Sequence, residues 1–319
     1  MMRILVTTTS FQDTKGPHHD VLAASGFEIV NARGPLTEAQ LLELFAGEGF
    51  DGVLNGDDAF TPKVIDAAMP RLKVIAKYGI GLDSIAVDHA TAKGLPVLFT
   101  PGVNHTTVAE HTFGLMVALA KHFWLHLNST KAGQWKRITG GELAGKRLAL
   151  LGMGRIGKEV ARRAVAFDMS VVGFDISWDD AFAAKHGIER AASLDEAARG
   201  ADVISLSMNL TPANKRWLDA TRIETLKPGA LVINTARGAL VDEAAVAEAC
   251  KTGRLGGYAT DVLEKEPQVA GHPFIGVDNI LVTPHVGSRT YESVERQGVR
   301  AAKNIVNFLK GDPDFIRAN

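Results

Sequence analysis

The chain has 319 residues, with 35 Lys and Arg against 36 Asp and Glu, and 46% of its residues are hydrophobic. That length suits two domains of ordinary size, and the composition is that of a globular protein. A formal charge of −1 leaves no basic footprint for nucleic acid. The longest plain apolar run, Phe113 to Ala120, stops at Lys121 and is too short to cross a bilayer. The N-terminus enters a strand pattern directly, without a signal-peptide pattern, and the single cysteine excludes an intrachain disulfide. A cytoplasmic location is the expectation, with Cys250 as a small core residue.

Strand-like runs lead the chain at Arg3–Thr7, Phe27–Val30, Gly52–Leu54, Lys73–Ala76 and Pro96–Phe99. Helix-like stretches at Leu36–Phe45, Pro62–Ala68 and Ser84–Lys93 separate them, and such alternation predicts parallel βαβ units. His18-His19 reads as an exposed loop or a helix start. Thr100-Pro101-Gly102 marks a break, after which one long helix is predicted from Asn104 to about Thr130. Its apolar residues cover more than one stripe, which suits either an internal core helix or a subunit interface. His122 and His126 share a helical spacing but lack the His-Glu-x-x-His pattern, so packing is expected there and no metal.

A second set of strands follows at Leu148–Leu151, Val171–Phe174, Val203–Leu206, Leu231–Asn234, Gly257–Thr260 and Ile280–Val282. Tyr291–Leu309 closes the chain as a helix. The first strand of this set runs into Gly152-Met153-Gly154-Arg155-Ile156-Gly157, the G-x-G-x-x-G spacing, with Lys158–Phe167 helical after it. In such a turn the first glycine permits the bend, the second admits a pyrophosphate, and the third lets helix pack on strand. Asp175 ends the next strand, eighteen residues after Gly157, where a carboxylate accepts hydrogen bonds from ribose hydroxyls. A 2′-phosphate there would meet a like charge, worth roughly 4 kcal/mol of repulsion at about 4 Å in a partly solvated site. NAD is therefore expected over NADP.

Three more motifs stand after strands of the second set, where ligands bind in open α/β sheets. They are Asn234-Thr235-Ala236-Arg237-Gly238, Asp261-Val262-Leu263-Glu264-Lys265-Glu266-Pro267 and Thr283-Pro284-His285-Val286-Gly287-Ser288. With Lys77-Tyr78-Gly79-Ile80-Gly81-Leu82-Asp83 and Val108-Ala109-Glu110, the chain closely resembles the D-isomer-specific 2-hydroxyacid dehydrogenase family. That group includes D-3-phosphoglycerate dehydrogenase and glyoxylate/hydroxypyruvate reductase, and the resemblance covers essentially the whole length.

The resemblance implies hydride transfer between a nicotinamide and C2 of a small 2-keto or D-2-hydroxy acid. It assigns His285 as acid/base, Glu266 as the partner of its far ring nitrogen, and Arg237 as the binder of the substrate carboxylate. Imidazole suits the first role because its ordinary pKa lies nearest neutrality, and the planar guanidinium fork suits the last. The resemblance also places Tyr78, Gly79, Ile80 and Gly81 at the substrate, with backbone N–H groups near Ile80 and Gly81 completing the anion site. For NAD it implies Gly152, Gly154, Arg155, Ile156, Gly157 and Asp175, then Thr235, Ala236, Arg237, Asp261, His285, Gly287 and Ser288. Met208 departs from the family pattern after its strand, which leaves only backbone contacts expected there.

Asn55, followed by Asp57 and Asp58, stands where phosphoglycerate dehydrogenases carry a basic residue, a poor partner for a dianion. A small unphosphorylated acid such as glyoxylate or hydroxypyruvate is the expected substrate, with D-3-phosphoglycerate the alternative, since Arg137 of a neighbouring subunit could supply charge. An NAD-sensing corepressor of the same fold is a remote alternative that the Arg237, Glu266 and His285 set opposes. Formate dehydrogenase, a relative with Gln at the place of Glu266, is opposed by that glutamate.

The expected architecture is α/β: two doubly wound parallel-sheet domains, a Rossmann NAD domain inserted into a flavodoxin-like substrate domain. Residues 1–101 with 289–319 form the substrate domain and 102–288 the NAD domain, and the two crossings would serve as a hinge. A homodimer built on the 104–130 helix is expected, with no nucleic-acid, membrane or metal partner.

Overall fold

The computed structural model describes residues 1–319. In chain order the elements begin with β1 (Arg3–Val6), α1 (Thr9–Asp13), α2 (Pro17–Ala23), β2 (Glu28–Asn31) and α3 (Glu38–Ala46). Then come β3 (Gly52–Asn55), α4 (Pro62–Ala68), β4 (Val74–Lys77), α5 (Val87–Ala92), β5 (Val97–Leu98), α6 (His105–Ala120) and α7 (Phe123–Lys131). The second half adds β6 (Arg147–Leu151), α8 (Arg155–Ala166), β7 (Ser170–Phe174), α9 (Asp180–His186), β8 (Glu189–Arg190), α10 (Leu194–Ala198) and β9 (Val203–Leu206). It ends with α11 (Ala220–Thr225), β10 (Ala230–Asn234), α12 (Glu243–Lys251), β11 (Leu255–Thr260), β12 (Ile280–Val282) and α13 (Tyr291–Lys310).

Two compact units result: Met1–Asn104 with Arg289–Asn319, and His105–Ser288. The first unit holds a five-stranded sheet in the order β2-β1-β3-β4-β5, parallel throughout. Every residue of β3 and β4 is buried, as expected of strands covered on both faces. α13 supplies one cover: its Val294, Ala301, Ala302, Ile305 and Val306 are buried, and Ile305 fills the space left by Gly52. Thr290 caps this helix by accepting a hydrogen bond from the Ser293 N–H, and Gly311, in the left-handed region, ends it.

The second unit holds a seven-stranded parallel sheet in the order β12-β11-β10-β9-β6-β7-β8. Strand order reverses between β6 and β9, so the crevice of a doubly wound sheet lies at their carboxyl ends. One face is covered by a cluster that includes Trp217, Leu240, Val246 and Tyr258, with Cys250 buried in it. The other is covered by α6 and α8 through Phe113, Met116, Val160 and Ala164.

Two expectations from the sequence need correction, and one strand goes unforeseen. The helix expected from 104 to 130 is two helices, broken at His122, whose backbone is left-handed (φ 51°, ψ 37°). At the break the Ala120 carbonyl accepts a hydrogen bond from the Gly141 N–H at 2.7 Å, and Gly140 lies so close that a side chain there would meet that carbonyl. His18 and His19 lie at the start of α2, one of the two expected settings, but His18 is fully buried: its Nε2 is 3.1 Å from the Phe11 carbonyl and its ring fills the space beside Gly298. The strand β8 is not foreshadowed by the sequence, because Glu189-Arg190 pairs at an exposed edge and carries no apolar signal. No helix is long and apolar enough to cross a membrane.

Candidate active site

The glycine turn follows β6 and is shaped by backbone proximity. Gly152 has φ 107°, and a Cβ on it would lie 2.5 Å from the Met208 amide nitrogen in the segment after β9. A Cβ on Gly157 would overlap the Gly152 carbonyl, so α8 sits against the turn with no room for a methyl group. Gly154, at the N-cap of α8, differs: a Cβ there would meet nothing within 4 Å, and no side chain caps the helix. The first and third glycines are therefore required by the fold, whereas the second borders open space. Arg155 and Ile156, the first residues of α8, present N–H groups without intrahelical acceptors.

Asp175 closes β7 as expected. Its Oδ2 accepts a hydrogen bond from the Met153 N–H at 2.7 Å, and its Oδ1 accepts one from the Ser177 N–H at 2.8 Å. A carboxylate has about four acceptor positions, so capacity remains for hydroxyl donors. The carboxylate thus ties the glycine turn to the end of β7.

The remaining groups cluster at the carboxyl ends of β10, β11 and β12. Asn234, buried as the last residue of β10, accepts from the Ala236 N–H through Oδ1 and donates through Nδ2 to the Arg237 carbonyl and the Tyr258 hydroxyl. These bonds shape the turn that presents Thr235, Ala236 and Arg237. Thr235 Oγ1 lies 2.7 Å from Thr112 Oγ1 on α6, and an Arg237 guanidinium nitrogen donates to the Ala236 carbonyl at 2.6 Å. Gly238 packs so closely on the Leu263–Glu264 backbone that any side chain would overlap it. The Arg237 turn and the segment carrying Glu266 are therefore in direct backbone contact.

Glu266 Oε2 lies 2.8 Å from His285 Nδ1, while its Oε1 accepts from the Leu263 N–H at 2.9 Å. Glu264 has other partners: its carboxylate faces Arg216 at 3.3 Å and Lys215 at 3.8 Å. Of the two neighbouring glutamates, the one that reaches the histidine is the one the resemblance implied.

His285 has φ 53°, a left-handed conformation that costs about 1 kcal/mol and must be held by its surroundings. Asp261 does the holding. Its carbonyl accepts from the His285 N–H at 3.0 Å, and its carboxylate accepts from Thr283 Oγ1, the Val286 N–H and the Gly287 N–H at 2.6, 2.9 and 2.7 Å. His111 on α6 adds its Nε2, 3.4 Å from Asp261 and 2.9 Å from Thr283. Burial alone would raise the Asp261 carboxyl, but the hydrogen bonds from His111, Thr283 and the two N–H groups outweigh it and hold it below the usual range. Gly287 is required there, since a Cβ would press on the Asp261 carboxylate. Ser288 ends the segment, half-buried.

In the first unit, Gly79 (φ 124°) donates its N–H to Thr100 Oγ1, and Ile80 is exposed at 36% with Gly81 following it. Tyr78 is buried, and burial pushes its phenol up to about 12, so it stays protonated through the neutral range. Two features of this unit have no counterpart among the sequence expectations. The Asp58 carboxyl is fully buried, accepting from the Leu36 N–H, the Gly56 N–H and the Thr7 hydroxyl, so it belongs to the interior of the unit. Lys77, paired in register with Asn55, is buried with its Nζ 2.6 Å from Asp57. Asn234, Thr283 and His111 also went unassigned; only Asn234, directly before a strand-end arginine turn, left a sequence signal.

A sequence model of the family described as "D-isomer specific 2-hydroxyacid dehydrogenase, NAD binding domain" matches residues 113–287. D-3-phosphoglycerate dehydrogenase of Methanocaldococcus jannaschii is 37% identical over 98% of this chain, which spans 58% of that relative's length. Glyoxylate reductase of Thermofilum pendens is 36% identical over 80% of this chain and 77% of its own. Among solved structures, a protein of Thermus thermophilus superposes with a TM-score of 0.89 at 36% identity, over the whole of both chains. With that similarity on both sequence and fold, the chain belongs to the D-isomer-specific 2-hydroxyacid dehydrogenase family and carries that family's NAD-binding domain.

Proposed function

We propose that the protein is an NAD-dependent oxidoreductase acting at C2 of a small 2-keto or D-2-hydroxy acid. The observation that carries this reading is the 2.8 Å pair of His285 and Glu266, at the same sheet end as the Arg237 turn and the glycine turn. The residues present fit the cofactor. Gly154 leaves a gap beside uncapped N–H groups, which suits a pyrophosphate, and Asp175 retains acceptor capacity for ribose hydroxyls. When bound, NAD supplies the hydride donor or acceptor at its nicotinamide ring.

The chain's own groups supply the rest. Arg237 grips the substrate carboxylate and polarises the neighbouring carbonyl. His285 gives a proton from Nε2 to the oxygen that develops charge in keto-acid reduction, and takes one back in the reverse direction. Glu266 accepts at Nδ1, which fixes the tautomer and favours the imidazolium form needed for donation. Asp261 and its hydrogen bonds hold the histidine in its left-handed backbone conformation, whichever direction the reaction runs. The family resemblance also assigns Tyr78, Gly79, Ile80 and Gly81 to substrate binding, with N–H groups near Ile80 and Gly81 as carboxylate donors.

Glyoxylate or hydroxypyruvate is the substrate class we favour, since Asn55 replaces a basic residue. D-3-phosphoglycerate is a second reading, and the buried Lys77 ammonium beside Asn55 is the observation in its favour. A panel of these acids with NADH and NAD separates the two. His285→Asn should lower kcat about a thousandfold with the fold intact, within the range for loss of a general acid; turnover within tenfold of the parent would end the acid/base assignment. A second copy of the chain is the expected partner, covering the exposed Phe123, Leu127 and Trp135. Sedimentation showing only monomer at micromolar concentration would remove that part. The buried, unpaired thiol of Cys250 suits the reducing cytoplasm.

A further inference from the structure

The segment between β11 and β12 carries Glu266 on an irregular path, and one side chain outside it holds both of its limbs. Glu243 is the first residue of α12, where a carboxylate is favoured by the helix dipole. Its Oε1 accepts from the Glu264 N–H at 2.9 Å, two residues before Glu266. Its Oε2 lies 3.2 Å from His272 Nε2, six residues after Glu266. His272 Nδ1 accepts from the Phe274 N–H at 3.3 Å, which places the ring proton on Nε2 and makes His272 the donor to Glu243. Both side chains are nearly buried, at 14% and 7% exposure, and the His272 ring packs edge-on against Phe274 at 4.9 Å.

From this geometry we propose that Glu243 and His272 are positioning residues for the acid/base couple. The Glu243 carboxylate clasps the limbs before and after Glu266, so that the Glu266 carboxylate is delivered to His285 Nδ1. The inference rests on the functional reading above and extends it, since neither Glu243 nor His272 belongs to the groups assigned to substrate or cofactor. Two anchors on the first limb act alongside the clasp: the Gly238 backbone beneath Leu263–Glu264, and the ion pairs of Glu264 with Lys215 and Arg216. Neither reaches the limb that follows Glu266. The Glu243 carboxylate joins the two by hydrogen bonds, over the apolar cluster that Leu263 and Phe274 share beneath them.

The loop is freed on both limbs by Glu243→Ala and on the second alone by His272→Phe, which keeps the ring against Phe274. Glu243→Gln keeps an oxygen for the Glu264 N–H. The readouts are kcat, KM for NADH and the pH profile of keto-acid reduction, with Glu266→Gln run beside them. Loss of the Glu266 carboxylate from His285 makes the imidazolium easier to deprotonate, so the alkaline fall of kcat/KM should move to lower pH. Glu243→Ala should lower kcat about tenfold, with KM for NADH within about twofold, and should move the alkaline limb in the same direction as Glu266→Gln. His272→Phe should do so to a smaller degree, and Glu243→Gln should recover most of the activity. Should Glu243→Ala fail to fold, His272→Phe and Glu243→Gln decide the matter by the same readouts. An unmoved pH profile in the Glu243 and His272 variants, with a moved one in Glu266→Gln, overturns the clasp alone. If Glu266→Gln leaves the profile unmoved as well, the acid/base reading itself falls and takes the clasp with it.

Discussion

Each sheet reverses strand order once, between β1 and β3 in the first unit and between β6 and β9 in the second. Both reversals open a crevice at the carboxyl ends of parallel strands. In the first unit the chain fills it itself: Asp58 turns inward and takes hydrogen bonds from Leu36, Gly56 and Thr7. In the second unit glycines line the turn, Gly154 borders open space, and the first N–H groups of α8 have no side-chain cap. The same topology thus gives a closed end and an open one. Side-chain chemistry decides which, since a carboxyl among N–H donors needs no ligand and uncapped donors beside a gap suit one.

The hardest test of this contrast is Gly157→Ala. The added methyl overlaps the Gly152 carbonyl, and overpacking against backbone should destabilise the second unit by about 3 kcal/mol, measured by chemical unfolding. A wild-type midpoint would show that the turn has slack the geometry denies. On the closed side, Asp58→Ala strands the buried Leu36 N–H and takes one of two partners from the Gly56 N–H and the Thr7 hydroxyl. We expect a loss of about 2 kcal/mol in the first unit with NAD affinity unchanged. If NAD binding weakened instead, the first unit's crevice would not be the closed one.

Gly154→Ala sharpens the comparison, because here the chain has room for a methyl group. Stability should stay within about 0.5 kcal/mol while the Kd for NAD rises about tenfold, read by calorimetric titration. Equal affinities would mean the gap is not where the pyrophosphate lies. The smallest effect is acid sensitivity. The Asp261 carboxyl is held below its unfolded value, so its stabilisation is complete above that value and is lost as pH falls through the folded one. Between those two points the unfolded chain binds the extra proton. Asp261→Asn should flatten the pH dependence of unfolding there by up to about one proton, and an unchanged slope would show the hydrogen bonds carry no linkage.

The parts of the chain that were legible share a physical cause. Strands buried on both faces read as apolar runs, so Val203–Leu206 is bounded correctly from composition alone, and the half-buried edge strand Ile280–Val282 is bounded by its three aliphatic residues. Gly152 and Gly157 stand out because backbone conformation and close approach leave glycine as the residue of choice, whereas Gly154 is legible only through its spacing with them. The His285–Glu266 pair was named from the resemblance to relatives, because nothing local announces a contact nineteen residues apart. The break at His122 is not legible locally, since the Gly141 N–H that takes the Ala120 carbonyl comes from a distant segment. The burial of Asp58 is invisible for a similar reason, since donors from three separate segments draw it into the interior.

The last helix has a consequence for how the molecule is made. Ile4, Val6, Leu54 and Val74 are covered in part by Ala301, Ala302 and Ile305, contributed from more than two hundred residues further along the polypeptide. During synthesis the contiguous 105–288 unit can complete its core while this earlier sheet still waits for its cover. A greasy surface formed early in translation therefore stays bare until α13 leaves the ribosome, apolar surface of the kind that chaperones cover.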